Sequence, residues 1–274
     1  MKLKLFLPII LISLAVLGLS GEFPETVKPK LVYDTTILES KGTIRVGILY
    51  KLDPNWHIYW KFSGDSGLPT KVEFTVPDGF EPGELNWPLP KAFTREGDIN
   101  DYGYEDEVLL WSDIKVPANY NLKSPIPVKV LTKWISCEEI CIPGKAEFTQ
   151  DVSKNGNKTV FDTWETRIPS ENNNKFDIKV VNEDNKYNII INNSQLEGTF
   201  KLYPIPLKTV DVENISYTKQ KNEQIISFSV KIYPGHKSKY ENLDTVITYT
   251  DKDGIRKGFE YKVSLKEWIN KNSG

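Results

Sequence analysis

One ten-residue stretch shows the fold class most clearly: Thr43-Ile44-Arg45-Val46-Gly47-Ile48-Leu49-Tyr50-Lys51-Leu52. Every second residue in it is apolar, and these residues are Ile44, Val46, Ile48, Tyr50 and Leu52. A period of two places the five side chains on one face of an extended segment. The stretch therefore predicts a β-strand with one buried face.

Short segments of similar character, separated by turns rich in Pro and Gly, continue through the first half of the chain. Further strands are predicted over residues 30–33, 56–60, 70–76, 108–111, 127–135 and 148–152. Many short strands of this kind indicate a β-sandwich. The stretch 82–105, rich in Pro, Gly and aromatic residues, predicts a long irregular loop, and such loops are often functional.

The composition changes beyond residue 153. Residues 153–158 and 170–175 are polar, and a short helix is predicted between them over residues 160–168. A second series of strands follows over residues 176–181, 187–191, 199–203, 224–233, 245–250 and 258–265. The chain is therefore expected to be all-β, with one sandwich domain over 22–153, a linker with a short helix over 154–175, and a second sandwich over 176–274.

Residues 1–21 have the character of a secretory signal peptide. Lys2 and Lys4 precede an apolar run from Leu5 to about Leu19, and small residues suited to cleavage follow. The run is shorter than the roughly 20 residues that span a bilayer, so an uncleaved anchor is the weaker alternative. We expect an exported, periplasmic protein in which a disulfide persists.

Composition argues against several classes of partner and ligand. The formal net charge of −2, without a long block of like charge, gives no sign of a nucleic-acid partner. His57 and His236 are predicted in different domains, and neither has the paired spacing of a zinc site. The only methionine is the initiator, which excludes a copper–thioether site. No metal and no small-molecule cofactor is expected.

The segment around Ser66, Gly64-Asp65-Ser66-Gly67-Leu68-Pro69, resembles the sequence around the nucleophile of trypsin-like proteases. A serine nucleophile needs a histidine base that a carboxylate orients. The only histidine before Ser66 is His57, and it lies too close in sequence for that family. The sequence therefore favours a Gly/Pro loop with a local Asp–Ser hydrogen bond over a hydrolase site.

The two cysteines of the chain lie in the stretch Lys133-Trp134-Ile135-Ser136-Cys137-Glu138-Glu139-Ile140-Cys141-Ile142-Pro143. If the preceding strand is regular, Cys137 lies at its end on the same face as Lys133, where it is expected to be partly exposed. A turn over residues 138–140 then brings Cys141 back opposite Cys137, within reach of a disulfide.

Such a disulfide is either a small staple or a reactive pair. Closing a loop of about five residues stabilises a fold by roughly 2 kcal/mol, against almost 5 kcal/mol for a loop of about 100 residues. Glu138 and Glu139 disfavour a neighbouring thiolate, and Lys133 partly offsets them. These residues favour a redox pair whose exchange depends on the activated thiol of a partner. A structural disulfide in a non-catalytic binding module stays the alternative.

Five motifs, in the same order along the chain, resemble the N-terminal periplasmic domain of the DsbD thiol–disulfide interchange family. The resemblance is closer to the ScsB-like branch, in which a second β-domain follows the first. The motifs are Trp56-His57-Ile58-Tyr59-Trp60, Gly64-Asp65-Ser66-Gly67-Leu68-Pro69, Leu85-Asn86-Trp87-Pro88, Asp101-Tyr102-Gly103-Tyr104 and Trp134-Ile135-Ser136-Cys137-Glu138-Glu139-Ile140-Cys141-Ile142-Pro143.

The resemblance implies an immunoglobulin-like fold and assigns roles to residues. Cys137 and Cys141 would be the redox pair, with Cys141 forming mixed disulfides and Cys137 resolving them. In the family a loop with an aromatic tip caps the pair, and the matching stretch here is Asp101-Tyr102-Gly103-Tyr104, with Tyr102 as the candidate cap. The flanking residues expected to support the pair are Lys133, Trp134 and Pro143.

The resemblance also implies partners. Family members pass electrons from a transmembrane domain to thioredoxin-fold proteins or cytochrome c maturation factors. Well-known members carry that membrane domain and a terminal thioredoxin domain in the same chain, whereas this sequence stops at Gly274. We therefore expect a separate multi-helix membrane thiol reductase as the electron donor.

Overall fold

The fold is built almost wholly from antiparallel strands. The computed structural model describes residues 25–95, 99–121, 124–153, 156–171, 176–183, 185–192, 198–206, 210–220, 222–233 and 242–265. The predicted signal peptide and His236 lie outside these residues. Among them, no helix is both long and apolar enough to span a bilayer.

The first half of the chain forms two sheets. Their strands are β1 (Val27–Asp34), β2 (Thr43–Leu52), β3 (His57–Gly64), β4 (Lys71–Thr75), β5 (Glu81–Asn86), β6 (Lys91–Arg95), β7 (Ile99–Glu105), β8 (Glu107–Lys115), β9 (Ile126–Cys137) and β10 (Cys141–Val152), with a one-turn helix, α1 (Leu38–Lys41), before β2. One sheet has the order β1-β2-β8-β5, and the other has the order β10-β9-β3-β7-β6 with β4 beside β9.

The core of this sandwich lies between the two sheets. The alternating residues of β2 that predicted a strand, Ile44, Val46, Ile48 and Tyr50, are fully buried, which confirms that prediction. The other face of this sheet is covered as well, because the helix α2 (Lys158–Glu165) packs there with Phe161 against Trp111 of β8 and with Glu165 bound to Arg45 of β2. Burial on both faces explains why this half holds so many aromatic residues.

The second half forms a further pair of sheets. Its strands are β11 (Asp177–Glu183), β12 (Lys186–Asn192), β13 (Thr199–Ile205), β14 (Val210–Lys219), β15 (Glu223–Ile232), β16 (Asn242–Thr250) and β17 (Arg256–Ser264). One sheet has the order β11-β12-β15-β14, and the other has the order β13-β16-β17. The two immunoglobulin-like sandwiches in tandem confirm the predicted fold class.

The two sandwiches share a packed junction. Tyr203 of β13 extends the core of the first sandwich, with its ring 6.3 Å from that of Trp60 and 5.3 Å from that of Tyr102. Arg256 of β17 donates to the carbonyl oxygens of Leu89 and Pro90, and to the Tyr203 hydroxyl at 2.9 Å. These contacts tie the stretch before β6 to the second sandwich.

One prediction was wrong in a way that bears on the site. Residues 82–105 are not one irregular loop, because they hold most of β5 and the hairpin of β6 and β7. Pro82, Gly83 and Gly103, three of the residues that suggested a loop, lie within strands. Gly103, for example, lies in β7 where an added Cβ would overlap the carbonyl oxygen of Ile58. Such close approach of two backbones requires glycine.

Candidate functional site: a disulfide at the end of a hairpin

The cysteine pair closes the hairpin of β9 and β10. Cys137 and Cys141 are register partners, with their Cα atoms 4.2 Å apart and an S–S bond of 2.04 Å. In the turn between them, the amide of Glu138 donates to the carbonyl oxygen of Ile140 at 3.2 Å. The predicted three-residue turn and the predicted cross-strand disulfide are both confirmed.

The two cysteine residues differ in their exposure to solvent. Cys137 has an exposed fraction of 0%, whereas Cys141 is exposed at the start of β10, which is an edge strand within the described part of the sheet. This corrects the expectation of a partly exposed Cys137. That expectation treated the outer face of β9 as open, but His57 of β3 lies directly opposite Cys137 and helps to cover it.

Tyr59 makes the hydrogen bond to the buried sulfur. Its hydroxyl donates to Cys137 Sγ at 3.1 Å, and the side chain is fully buried. Its backbone carbonyl accepts a hydrogen bond from the Thr70 hydroxyl at 2.8 Å. The strand position therefore aims the phenol at the disulfide, and Thr70 holds the backbone in place.

The loop over residues 64–70 covers the Tyr59 side chain. Gly67, with φ of +72°, lies close to the Tyr59 ring, and an added Cβ would overlap the ring. Only glycine accepts both this dihedral angle and this contact without strain. The loop therefore packs directly against Tyr59, the residue whose hydroxyl contacts Cys137.

Ser66 anchors the same loop to a buried carboxylate. Its hydroxyl donates to Asp101 at 2.9 Å, and its amide donates to the same carboxylate at 3.0 Å. Asp65 and Asn100 add two further hydrogen bonds beside them. Ser66 is therefore part of a loop, as the sequence favoured, but its aspartate partner is Asp101 on β7 and not a neighbour within the loop, which corrects the expectation of a local hydrogen bond.

The predicted cap stretch has a different place in the structure. Residues 101–104 lie in β7, and all four are buried. Tyr102 packs against Phe62 and Tyr203, and burial raises the pKa of its hydroxyl. The Tyr104 hydroxyl donates to the Pro88 carbonyl at 2.7 Å. The expectation of a lid loop with Tyr102 at its tip is thus corrected.

The cap stretch was misjudged because its aromatic residues alternate with Asp101 and Gly103. That pattern suits a polar loop, but it also suits a strand with one face on the core. The aromatic pair faces the core and the junction, while Asp101 and Gly103 face the side of Ser66 and β3. The stretch supports the site from two strands away.

The three flanking residues occupy three different environments. Trp134 is 9% exposed on the inner face, with its ring 5.9 Å from that of Tyr50. Lys133 is exposed on the same face of β9 as Cys137, between its register partners Lys145 and Lys71. Pro143 is exposed on β10. Trp134 fixes the hairpin, and Lys133 and Pro143 line its open side.

Sequence reasoning missed His57 and Tyr59 as neighbours of the disulfide. The signal was present in the alternation of Trp56-His57-Ile58-Tyr59-Trp60, which places both residues on one face. What the sequence did not supply was the pairing of His57 with Cys137. No group of described residues has the composition of a metal site.

The fold and the site together define a class, namely an immunoglobulin-like β-sandwich with a cysteine pair suited to thiol–disulfide interchange. The family model "Thiol:disulfide interchange protein DsbD, N-terminal" matches residues 24–153, so this part of the chain is similar to that family. No curated protein matches the sequence significantly.

A solved structure resembles the whole tandem arrangement. It is the N-terminal periplasmic domain of ScsB from Proteus mirabilis, with a TM-score of 0.68 and 16% identity, covering 88% of this chain and 94% of that one. The reduced N-terminal domain of DsbD from Neisseria meningitidis covers 49% of this chain and 91% of its own, with 16% identity and a TM-score of 0.32. At 16% identity, the likeness to the ScsB domain shows a shared fold and nothing more.

Proposed function

We propose that this chain is an exported thiol–disulfide exchange protein that relays electrons through the Cys137–Cys141 pair. The observation that carries the proposal is the unequal exposure of the two cysteine residues, with Cys141 exposed and Cys137 buried. An incoming thiolate reaches Cys141 Sγ first, and Cys137 then departs as the buried leaving group. In the opposite direction, Cys137 resolves the mixed disulfide that a partner forms with Cys141.

The match of residues 24–153 to this family supports the choice of partners. The electron donor in this proposal is a multi-helix membrane thiol reductase, and the acceptors are thioredoxin-fold proteins or cytochrome c maturation factors. A periplasmic location is supported by the signal-peptide character of residues 1–21 and by the likeness to a periplasmic domain of ScsB. The exchange itself needs only thiols and a disulfide, with no further cofactor.

The proposal divides the chain by task. Residues 22–153 carry the redox site, residues 154–175 link the sandwiches, and residues 176–274 form a supporting domain. The second domain supports the redox site through packing contacts. Tyr203 packs on Tyr102 of β7, and Asp101 on the same strand holds Ser66. Lys133 and Pro143 border the surface that a partner approaches, and Trp134 holds the hairpin from inside.

The reduction potential of the pair separates this function from a structural disulfide. The oxidised fraction is measured by alkylation and mass spectrometry after equilibration in glutathione or dithiothreitol buffers of graded potential. A relay requires a potential above about −300 mV, where cellular thiols exchange with it, whereas a structural bond lies below that value. The doubly substituted Cys137→Ala, Cys141→Ala protein supplies the unreactive baseline.

A further inference from the structure

His57 holds an unusual position for the only histidine among the described residues. It is the register partner of Cys137 on the adjacent strand, so the two side chains lie side by side on the same face of the sheet. It is only 4% exposed. An imidazole is thus enclosed next to the sulfur that departs as a thiolate or returns as a thiol.

Aromatic contacts fix the histidine ring. It stacks on Phe93 of β6 with ring centroids 4.5 Å apart and planes 16° apart. It also meets the Tyr59 ring edge-on at 5.3 Å, and the hydroxyl of that ring donates to Cys137 Sγ. His57, Tyr59 and the sulfur therefore form one enclosed cluster.

We propose that His57 is the acid–base group of the exchange, which rests on the proposed function. When a partner thiolate attacks Cys141 Sγ, a new sulfur–sulfur bond forms and the Cys137–Cys141 bond breaks. The bond pair stays on Cys137, which leaves as a thiolate, and His57 in its protonated form stabilises that charge and supplies the proton. The partner is oxidised to the mixed disulfide, and this chain is reduced.

The reverse step balances in the same way. His57 takes the proton of the Cys137 thiol, and the resulting thiolate attacks Cys141 Sγ in the mixed disulfide. The bond between Cys141 and the partner then breaks, and the partner leaves as a thiolate that takes up a proton from His57 or solvent. A buried thiol needs such an acceptor, because the thiolate is the nucleophile.

A pH test of His57 must take account of the other titratable groups around the cluster. Tyr59 lies on the same strand, Glu105 is the register partner of His57 on β7, and Lys91 of β6 pairs with Glu105. Glu138 and Glu139 lie in the adjoining turn. Of these side chains, only an imidazole ordinarily changes charge between pH 5 and 8. A rate change in that window therefore reports on His57.

The test uses the oxidised full chain and dithiothreitol as the attacking thiol. The second-order rate constant for reduction is measured from pH 5.5 to 8.5 and divided by the thiolate fraction of dithiothreitol. For the wild type we expect this corrected constant to be at least about 10-fold higher at pH 5.5 than at pH 8.5, because a well-placed general acid contributes about 10²–10⁴-fold. His57→Phe keeps the ring stack and should give a flat profile.

Several outcomes overturn the inference. A flat wild-type profile does so without any variant, and so does a His57→Phe profile equal to that of the wild type. If His57→Phe does not fold, His57→Gln serves in its place, with the same flat profile expected. A protein that exchanges with a thioredoxin-fold partner but gives a flat profile contradicts only the role of His57. A protein with the pH-dependent profile but no partner exchange contradicts the proposed function.

Discussion

Tyr59 donates a hydrogen bond from its hydroxyl to Cys137 Sγ, 3.1 Å away, and both side chains are fully buried. This bond links the disulfide to the body of the first sandwich. The loop that carries Gly67 presses on the same phenol, and Asp101 holds that loop through Ser66. The chemistry at the hairpin therefore depends on residues that lie on three separate segments of the chain.

Removal of the Tyr59 hydroxyl tests this dependence. Tyr59→Phe keeps the ring under Gly67 but leaves the departing Cys137 thiolate without its donor. Because a hydrogen bond to a charged group contributes about 1.5–3 kcal/mol, we expect reduction by dithiothreitol at pH 7 to slow by roughly 10-fold or more. Stopped-flow tryptophan fluorescence measures the rate. An unchanged rate in a folded variant contradicts this role, and Tyr50→Phe, whose hydroxyl contacts Thr132 away from the sulfur, is the control.

A pair of glycine substitutions tests the contact between the loop and the phenol. Gly67→Ala introduces a Cβ both at φ of +72° and into the Tyr59 ring. Gly254→Ala places a Cβ at φ of +79° with nothing within 4 Å. The dihedral angle alone costs about 1–2 kcal/mol, and overpacking adds about 1–3 kcal/mol at Gly67.

We therefore expect Gly67→Ala to lower the free energy of unfolding more than Gly254→Ala does, as measured by urea denaturation. Only Gly67→Ala should also slow the exchange with dithiothreitol, since it displaces the Tyr59 hydroxyl from Cys137. Equal losses of stability for the two variants would show that the loop does not press on the ring.

Arg256 tests the junction between the sandwiches. Arg256→Lys replaces a planar group that reaches three acceptors with a point charge that cannot reach all of them in the same way. Because carbonyl oxygens in the junction lose a donor, we expect a loss of about 1–3 kcal/mol in the free energy of unfolding. Lys262→Gln is the matched control, since its exposed ion pair with Asp244 contributes at most about 1 kcal/mol. Similar losses for both variants contradict a specific junction.

The sequence predicted most strands because their apolar residues recur with a period of two. It did not predict β14, whose exposed residues and register shift between Glu213 and Ser216 blur that period at an edge of the sheet. The sequence also predicted a partly exposed Cys137. The alternation within one strand shows which residues share a face, but it does not show which neighbouring strand covers that face. The pairing with His57 is a long-range contact, and only the assembled sheet supplies it.

Part of the site was accessible from the sequence. The spacing of Cys137 and Cys141 around a short turn was sufficient to predict the hairpin and the disulfide. The role of Ser66 as a loop residue followed from the lack of a suitable histidine. Tyr102 was misplaced because an aromatic residue beside glycine fits both a loop tip and a strand whose backbone approaches its neighbour closely.

The central claim is that Cys141 exchanges with a partner and Cys137 resolves. The most direct test incubates each single variant, Cys137→Ala and Cys141→Ala, with an oxidised thioredoxin-fold protein, followed by non-reducing electrophoresis and mass spectrometry. We predict that Cys137→Ala, which keeps the exposed Cys141, accumulates a mixed disulfide through that residue, while Cys141→Ala does not. Accumulation by Cys141→Ala instead, or by neither variant, would contradict the claim.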